Sequence, residues 1–113
     1  MEDCIFCKIL RGEIPADKVL ENEDFIAIRD INPKAPVHVL VIPREHVPSL
    51  AAISHWDDDL SGRMLRVATE VAELTGIRET GYRVVSNAGP DAGQEVDHLH
   101  VHVLGGKPLG RFW

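Results

Sequence analysis

Residues 97–106, DHLHVHVLGG, contain three histidines that alternate with aliphatic residues. A β-strand points successive side chains to opposite faces of a sheet, so this spacing predicts a strand that carries His98, His100 and His102 on one face. The aliphatic side chains between them would then face a core. A helix, at about 100° per residue, would spread the same histidines over half of its circumference, and β-branched spacers also favour a strand.

Aligned imidazoles near neutral pH can bind a metal, attack an electrophile or hold a phosphate by hydrogen bonds. The plain alternative is a surface strip of histidines that binds nothing. Three of the six histidines of the chain lie within five residues of an apolar segment. This concentration favours a binding or catalytic site.

Length and composition predict one domain that spans residues 1–113. A hydrophobic content of 44% supplies a core, but a lean one for a sheet with two covered faces. A partner subunit would therefore help to stabilise the fold. The formal charge of −6 and a pI near 5.4 give no electrostatic basis for binding nucleic acid or an anionic membrane. The sequence shows no apolar run of 18 residues and no secretory leader. It therefore predicts a cytoplasmic protein without nucleic-acid or membrane partners.

Cys4 and Cys7 form a Cys-x-x-Cys motif close to the N-terminus. In a reducing compartment such a motif is redox-active, metal-binding or a pair of small buried thiols. Redox activity of the thioredoxin type is disfavoured, because the motif lies in a short segment rather than at the start of a long helix. Zinc needs about four ligands, and two cysteines supply half of them. His46, in a loop, is the leading candidate for a third ligand.

The remaining patterns predict strands and one long helix. Short apolar or alternating runs between turn residues are typical of strands, and apolar residues at three- and four-residue steps are typical of a helix that Gly76 would end. Two prolines keep the segment 30–36 extended. The apolar run 37–43, interrupted by His38, predicts a central buried strand. The predicted strands are 18–21, 24–29, 37–43, 81–87 and the triad strand. The helical pattern covers 54–76, with Asp57, Asp58 and Asp59 in its first turn.

His38 and a glycine-containing loop add to the candidate site. A single histidine in an apolar strand is in general more often a satisfied core residue, but His38 would neighbour the triad if the two strands pair. The loop 88–96 contains two glycines and leads directly into the triad. Its main-chain N–H groups can therefore approach an anion closely.

The chain resembles the histidine-triad (HIT) superfamily, in particular the branch of histidine-triad nucleotide-binding proteins that act on nucleoside phosphoramidates. The matching segments occur in order along nearly the whole chain. They are CIFCKI at 4–9, GEIP at 12–15, DINP at 30–33 with AP at 35–36, HVLVIP at 38–43, His46, Asn87 with GQ at 93–94, and HLHVHVLGG at 98–106.

The resemblance implies an α+β fold with a five-stranded antiparallel sheet, one long helix and a short N-terminal helix. It also implies a homodimer in which two such sheets join edge to edge. A purine nucleotide would bind on each sheet with its α-phosphate at the triad. The tail 107–113 differs in length from that of the eukaryotic relatives, which leaves open whether Trp113 reaches the neighbouring subunit.

The resemblance implies that His100 is the nucleophile and that His102 and His38 orient it and hold phosphate oxygens. A neutral imidazole can attack phosphorus in line and form a nucleotidyl-histidine that water then cleaves, and this chemistry requires no metal. The other residues with implied roles are Asp30 at the ribose, Asn87 at the phosphate, Gly93 and Gln94 near the leaving group, and Ile5, Phe6, Ile9 and Ile28 around the base.

In zinc-containing relatives, the positions that match Cys4, Cys7, His46 and His98 form a structural zinc site. The resemblance thus implies zinc as a structural cofactor and separates His98 from the residues that act on phosphate. Glu95 is a departure, because many phosphoramidases have a serine at this position. A carboxylate accepts a hydrogen bond from an amine but repels an anionic leaving group.

The function that the resemblance implies is hydrolysis of the P–N bond of AMP-type phosphoramidates. Two alternatives stay open, namely a dinucleoside polyphosphate hydrolase and a nucleotide-binding scaffold with little catalysis. The ending LGG at 104–106 differs from the proline-arginine ending associated with the first alternative, and the intact set of His38, His100 and His102 argues against the second. A galactose-1-phosphate uridylyltransferase is disfavoured, because the chain is short and the third triad member is histidine rather than glutamine.

Overall fold

A computed structural model describes residues 3–111, so Trp113 lies outside the described residues. The chain forms the predicted α+β fold, a five-stranded antiparallel sheet with a long helix on one face and a short helix on the other. The elements are α1 (Ile5–Leu10), β1 (Lys18–Glu21), β2 (Phe25–Arg29), β3 (Val37–Pro43), α2 (Asp58–Leu74), β4 (Tyr82–Val85) and β5 (Val101–Gly105), with 3-10 turns at Leu50–Ala52 and Pro90–Ala92.

The strands follow the order β1-β2-β3-β5-β4, and all neighbouring strands are antiparallel. β3 lies in the centre and is buried along almost its whole length, which explains its continuous apolar sequence. In its pairing with β5, Leu40 lies opposite His102 and His38 lies opposite Leu104. Because side chains two residues apart share a face, this register places His38 and His102 diagonally next to each other.

The two faces of the sheet bury separate apolar clusters. Val39 and Val41 of β3 pack with α2 in the larger cluster. Leu40 and Ile42 point to the opposite face and pack with Phe6 of α1. Each fully buried aliphatic side chain contributes about 1.5–3 kcal/mol to stability. The helix α2 thus packs on one face of the sheet and leaves the other face to α1 and the histidines.

α2 begins at Asp58, so Asp58 and Asp59 lie in its first turn as predicted, and residues 54–57 of the predicted helical pattern precede it. Asp57 caps it, since its Oδ1 accepts a hydrogen bond of 2.7 Å from the main-chain N–H of the third helical residue. Gly76, with φ of 77°, follows the C-terminus as predicted, and the N–H of Ile77 donates back to the carbonyl of Ala72 at 3.0 Å. Within residues 3–111, no helix has the length and apolar character needed to cross a membrane.

β5 is shorter than predicted, because it begins at Val101 and leaves His98 and His100 in front of it. The N–H of Leu99 donates at 2.8 Å to a carbonyl in the loop after β3 instead of joining the sheet. The alternation of side chains continues nevertheless. Leu99 lies in the cluster under α2, whereas His98 and His100 contact the ring of Phe6 on the other face.

Gly106, directly after β5, offers a test of how tightly the segment 30–36 is held. Its φ is +94°, and a Cβ added there would lie 2.9 Å from the Cβ of Pro36. We expect Gly106→Ala to lower the free energy of unfolding by about 2–4 kcal/mol, because backbone strain adds to a steric clash. Chemical denaturation of both proteins measures this difference.

Gly12→Ala is the matched control. Gly12 has φ of +78°, and among residues 3–111 no heavy atom lies within 4 Å of an added Cβ. This variant should lose only about 1–2 kcal/mol, from backbone strain alone. Equal losses in the two variants would show that contact with Pro36 does not constrain the loop.

Candidate active site

Three histidines from two neighbouring strands meet on the face of the sheet that carries α1. The ring centroids of His38 and His102 lie 5.2 Å apart, and those of His100 and His102 lie 5.0 Å apart. His38 and His100 are buried, and His102 is half-buried. The structure therefore brings together the three histidines that were predicted to act on phosphate.

His100 is held in one tautomer by the main chain. Its Nδ1 lies 2.8 Å from the carbonyl oxygen of His98, which can only accept a hydrogen bond, so Nδ1 donates. In the neutral ring, Nε2 then carries a lone pair, as a nucleophile requires. The ring of Phe6 packs edge-on against this imidazole, with the centroids 5.1 Å apart. These contacts orient the His100 ring and leave Nε2 as the nitrogen that could act as a nucleophile.

Ser86 supports the main chain at His100 in a way that the sequence does not reveal. Its hydroxyl donates a hydrogen bond of 2.8 Å to the carbonyl oxygen of His100. The only signal for this role is a hydroxyl group at the end of the apolar strand β4. Asn87, the predicted phosphate ligand, is the next residue and is half-buried where β4 runs into the loop before the triad.

Burial lowers the pKa of two of the three histidines. Desolvation, with the neighbouring His100 and His38, lowers the pKa of His102 to about 4, although Asp30 opposes the shift. Desolvation also lowers the pKa of His38, and the carboxylate of Asp30, whose Oδ2 lies 3.4 Å from Nε2 of His38, opposes that shift as well. Both rings are therefore neutral at pH 7, and each offers one hydrogen-bond donor and one acceptor.

The predicted ribose and base residues lie close to the histidines, with one exception. Phe6, Ile9 and Ile28 are buried in the apolar cluster under α1, whereas Ile5 is 43% exposed and lies outside that cluster. Asp30 is half-buried, and its Oδ1 accepts a hydrogen bond of 2.9 Å from the next-but-one main-chain N–H. Contacts of these residues with a nucleotide stay a prediction.

Gln94 holds the loop before the triad in shape. Its Oε1 accepts the N–H of Gly89 at 2.8 Å, and its Nε2 donates to the carbonyls of Pro48 and Val96 at 2.7 and 2.9 Å. Gly93, with φ of 79°, allows the turn before it. The amide that was predicted to lie near the leaving group is thus bonded to the main chain of the protein. Its catalytic role stays a prediction.

An open cavity of about 390 Å³ lies beside this loop. Its lining includes Cys4 and His46, together with the carboxylate residues Asp3, Glu95 and Asp97. All three carboxylate residues are exposed. The glutamate that replaces the serine of many relatives therefore belongs to a negatively charged rim.

The Cys-x-x-Cys motif and two histidines form a second cluster. Nδ1 of His98 lies 3.3 Å from Sγ of Cys4 and 3.6 Å from Sγ of Cys7, and Nδ1 of His46 lies 3.2 Å from Sγ of Cys7. All four donor atoms lie within 4.8 Å of one another. The ligand atoms of a tetrahedral zinc ion are about 3.4–3.8 Å apart, so small shifts would let this set hold zinc.

The hydrogen bonding of His98 agrees with a metal ligand. Its Nε2 donates to the carbonyl of Pro43 at 2.9 Å, so the lone pair of the neutral ring lies on Nδ1, which faces the sulfur atoms. Burial lowers the pKa of His98. Burial also raises the pKa of the Cys7 thiol, and the hydrogen bond with Cys4 adds to that rise. A metal ion would displace the thiol protons as it binds.

The family described as HIT domain matches residues 11–109, and the chain belongs to this family. A purine nucleoside phosphoramidase of Escherichia coli K12 is 47% identical over 109 residues, which cover 96% of this chain and 92% of the relative. A solved HIT family hydrolase from Clostridium thermocellum has a TM-score of 0.94 at 46% identity, over 99% of this chain and 97% of its own. A histidine triad nucleotide-binding protein from Candida albicans has a TM-score of 0.87 at 37% identity, over 98% and 82% of the two chains. The predicted family and fold are confirmed.

The low pKa of His102 makes stability depend on pH. Its pKa is about 4 in the folded protein and about 6.5 in an unfolded chain, so between these values only the unfolded chain binds the proton. We therefore expect the free energy of unfolding to fall as the pH is lowered from 7 to 4.5, by about 2–3 kcal/mol at most from His102. Urea denaturation at a series of pH values measures this slope.

His102→Asn provides the comparison, because it removes the titrating group and leaves Cys4, Cys7, His46 and His98 in place. Any acid sensitivity of that cluster occurs in both proteins and cancels from the difference. The stability of the variant should depend less steeply on pH. The same slope in both proteins would show that His102 is not kept neutral by the fold.

Proposed function

We propose that this protein hydrolyses the P–N bond of purine nucleoside phosphoramidates through a nucleotidyl-histidine on His100. The observation that carries the proposal is the hydrogen bond from Nδ1 of His100 to the carbonyl of His98, which leaves the lone pair of Nε2 available for attack. The 47% identity to a purine nucleoside phosphoramidase supports the choice of reaction. His102, next to the nucleophile, would hold a phosphate oxygen.

In the first step, Nε2 of His100 attacks the α-phosphorus, a new N–P bond forms, and the bond to the amine breaks. The amine leaves with the bonding electron pair and takes a proton from solvent. The carbonyl of His98 stabilises the positive charge that develops on the ring. In the second step, water attacks phosphorus and loses a proton to solvent. The N–P bond breaks with its electron pair returning to Nε2 of His100, and the nucleoside monophosphate is released. Two in-line displacements predict retention of configuration at phosphorus.

The exposed carboxylate residues Asp3, Glu95 and Asp97 line the cavity beside the loop before the triad, together with Cys4 and His46 but without His38, His100 or His102. The choice of an amine rather than a polyphosphate as the leaving group therefore rests on the 47% identity to a purine nucleoside phosphoramidase.

The predicted homodimer is part of the same proposal, and the two edges of the sheet differ in a way that supports it. The edge strand β1 carries an ion pair between Lys18 and Glu21, and charged edges resist pairing with another strand. The edge strand β4 carries the single charged residue Arg83 and exposes Val84 to 42%. We therefore propose that two sheets join through β4.

The test of the reaction is hydrolysis of adenosine 5′-phosphoramidate. His100→Ala should lower kcat/KM by at least about 10³-fold, because the variant has no nucleophile. Intact-mass measurement during turnover should show a nucleotidyl adduct on the wild type and none on the variant. His55→Ala changes an exposed histidine paired with Glu45 and should keep wild-type activity.

The same assay distinguishes the alternatives. Faster cleavage of diadenosine tetraphosphate than of the phosphoramidate would favour the polyphosphate hydrolase. Binding of AMP without turnover of either compound would favour the scaffold. Hydrolysis with inversion at phosphorus would mean that water attacks directly and that His100 is not the nucleophile.

We also propose that Cys4, Cys7, His46 and His98 bind one structural zinc ion. When bound, zinc would join α1 to the loop of His46 and to the residue whose carbonyl holds His100. The chemical fit of the donor atoms supports this assignment.

Protein purified without chelator should contain about one zinc ion per chain, and Cys7→Ser should lose most of it, with a loss of several kcal/mol in stability. Elemental analysis and thermal unfolding measure the two effects. His55→Ala, which leaves the four ligands intact, should keep its zinc. A wild-type protein that folds stably with far less than one equivalent of metal would contradict the proposal.

A further inference from the structure

We infer that the main-chain N–H of Lys34 fixes the direction of the hydrogen bonds through His38 and His102, and thereby makes Nε2–H of His102 a donor toward the substrate. Lys34 is thus assigned as a positioning residue that acts through its main chain, since its side chain is exposed. The inference rests on the proposed function only for the identity of the group that accepts the hydrogen bond from His102, which is a phosphate oxygen.

The first link is the contact between Lys34 and His38. The main-chain nitrogen of Lys34 lies 3.1 Å from Nδ1 of His38, and an amide N–H can only donate. Nδ1 of His38 is therefore the acceptor, and the proton of the neutral ring lies on Nε2. The side chain of His38 is 1% exposed, so water cannot readily replace this partner.

The second link joins His38 to His102. Nε2–H of His38 has two possible acceptors, Nδ1 of His102 at 2.9 Å and Oδ2 of Asp30 at 3.4 Å. The shorter distance lies in the normal range for a hydrogen bond, whereas the longer one exceeds it. Nδ1 of His102 therefore accepts, and the proton of its neutral ring lies on Nε2.

The result is a pair of neighbouring imidazoles with opposite polarity. His100 has its proton on Nδ1, bonded to the carbonyl of His98, and presents a lone pair at Nε2. His102, 5.0 Å away between ring centroids, presents a proton at Nε2. Phosphoryl transfer requires one group that attacks phosphorus and another that stabilises negative oxygens. If His38 carried its proton on Nδ1, its Nε2 would accept from Nδ1–H of His102. His102 would then present a lone pair at Nε2 to the negative oxygens instead of a proton.

The segment that contains Lys34 is held rigidly enough to define this polarity. The N–H of Asp30 donates to the carbonyl of His38 at 2.9 Å, and Oδ1 of Asp30 accepts the N–H of Asn32 at 2.9 Å. Pro33 and Pro36 further restrict the backbone. Both ends of the segment are therefore fixed relative to β3.

The same polarity explains why Asp30, His38 and His102 do not suit a metal ion, although their ligand atoms lie within 4.8 Å of one another. A metal at Nε2 of His38 would need a lone pair where the hydrogen bond from Lys34 places a proton. This group is a hydrogen-bond network rather than a second metal centre.

The first test is the wild-type protein with ¹⁵N-labelled histidine, in the metal state in which it is purified. Imidazole NMR spectra at pH 7 distinguish the two neutral tautomers. We expect protonation at Nε2 for His38 and His102 and at Nδ1 for His100. A proton on Nδ1 of His38 would overturn the inference.

Lys34→Pro removes the N–H group, and Lys34→Ala is the matched control that keeps it while it removes the same charge. The proline variant should give a mixture of His38 tautomers and a 10- to 100-fold lower kcat, roughly, with KM changed by less than about threefold. The alanine variant should keep the wild-type spectrum and a kcat within about twofold. Equal behaviour of the two folded variants would overturn the inference.

The two readouts separate this inference from the proposed function. The expected tautomers without hydrolysis of the phosphoramidate would contradict the proposed function and support the role of Lys34. Hydrolysis of the phosphoramidate by a protein in which His38 carries its proton on Nδ1 would support the proposed function and contradict the role of Lys34. If Lys34→Pro does not fold, the wild-type spectrum decides.

Discussion

The antiparallel pairing of β3 with β5 is the constraint on which the candidate active site depends. Because Leu40 lies opposite His102, the ring of His38 reaches His102 diagonally, with 2.9 Å between Nε2 and Nδ1. A slip of one residue would turn His102 into the cluster under α2, where its polar atoms would lack partners. The apolar side chains on both faces of β3 oppose such a slip. Hydrophobic burial, rather than attraction among histidines, therefore sets the geometry of the site.

Main-chain groups at the two ends of β3 and before β5 determine the tautomers. The carbonyl of Pro43, the last residue of β3, accepts from His98, and the N–H of Lys34, just before β3, donates to His38. The carbonyl of His98 in turn accepts from His100. A main-chain group is always either a donor or an acceptor, so each contact forces a single polarity on its ring. The chemistry of the site thus depends on where the backbone enters and leaves the sheet.

The proposed nucleophile and the proposed zinc site share one short segment. The side chain of His98 lies among the cysteines, while its carbonyl holds His100. Phe6, which stands between Cys4 and Cys7 in the sequence, packs against both His98 and His100. The N-cap and first turn of α1, which carry the two sulfur atoms, therefore also support the proposed nucleophile. This arrangement places the proposed zinc site directly beside the proposed nucleophile, although zinc has no part in the proposed displacement steps.

The sequence by itself determined the bounds of β1 and β3 and the face on which each triad histidine lies, because the alternation of side chains is a local property of extended backbone. It also placed Asp58 and Asp59 in the first turn of α2. It did not determine that β5 begins at Val101, since the N–H of Leu99 bonds to the loop after β3 instead of to the sheet. Only the tertiary structure decided which imidazole nitrogen carries the proton. The deciding carbonyl and N–H groups belong to the main chain, which no side-chain pattern encodes, and Pro43 lies 55 residues from the His98 ring that it binds.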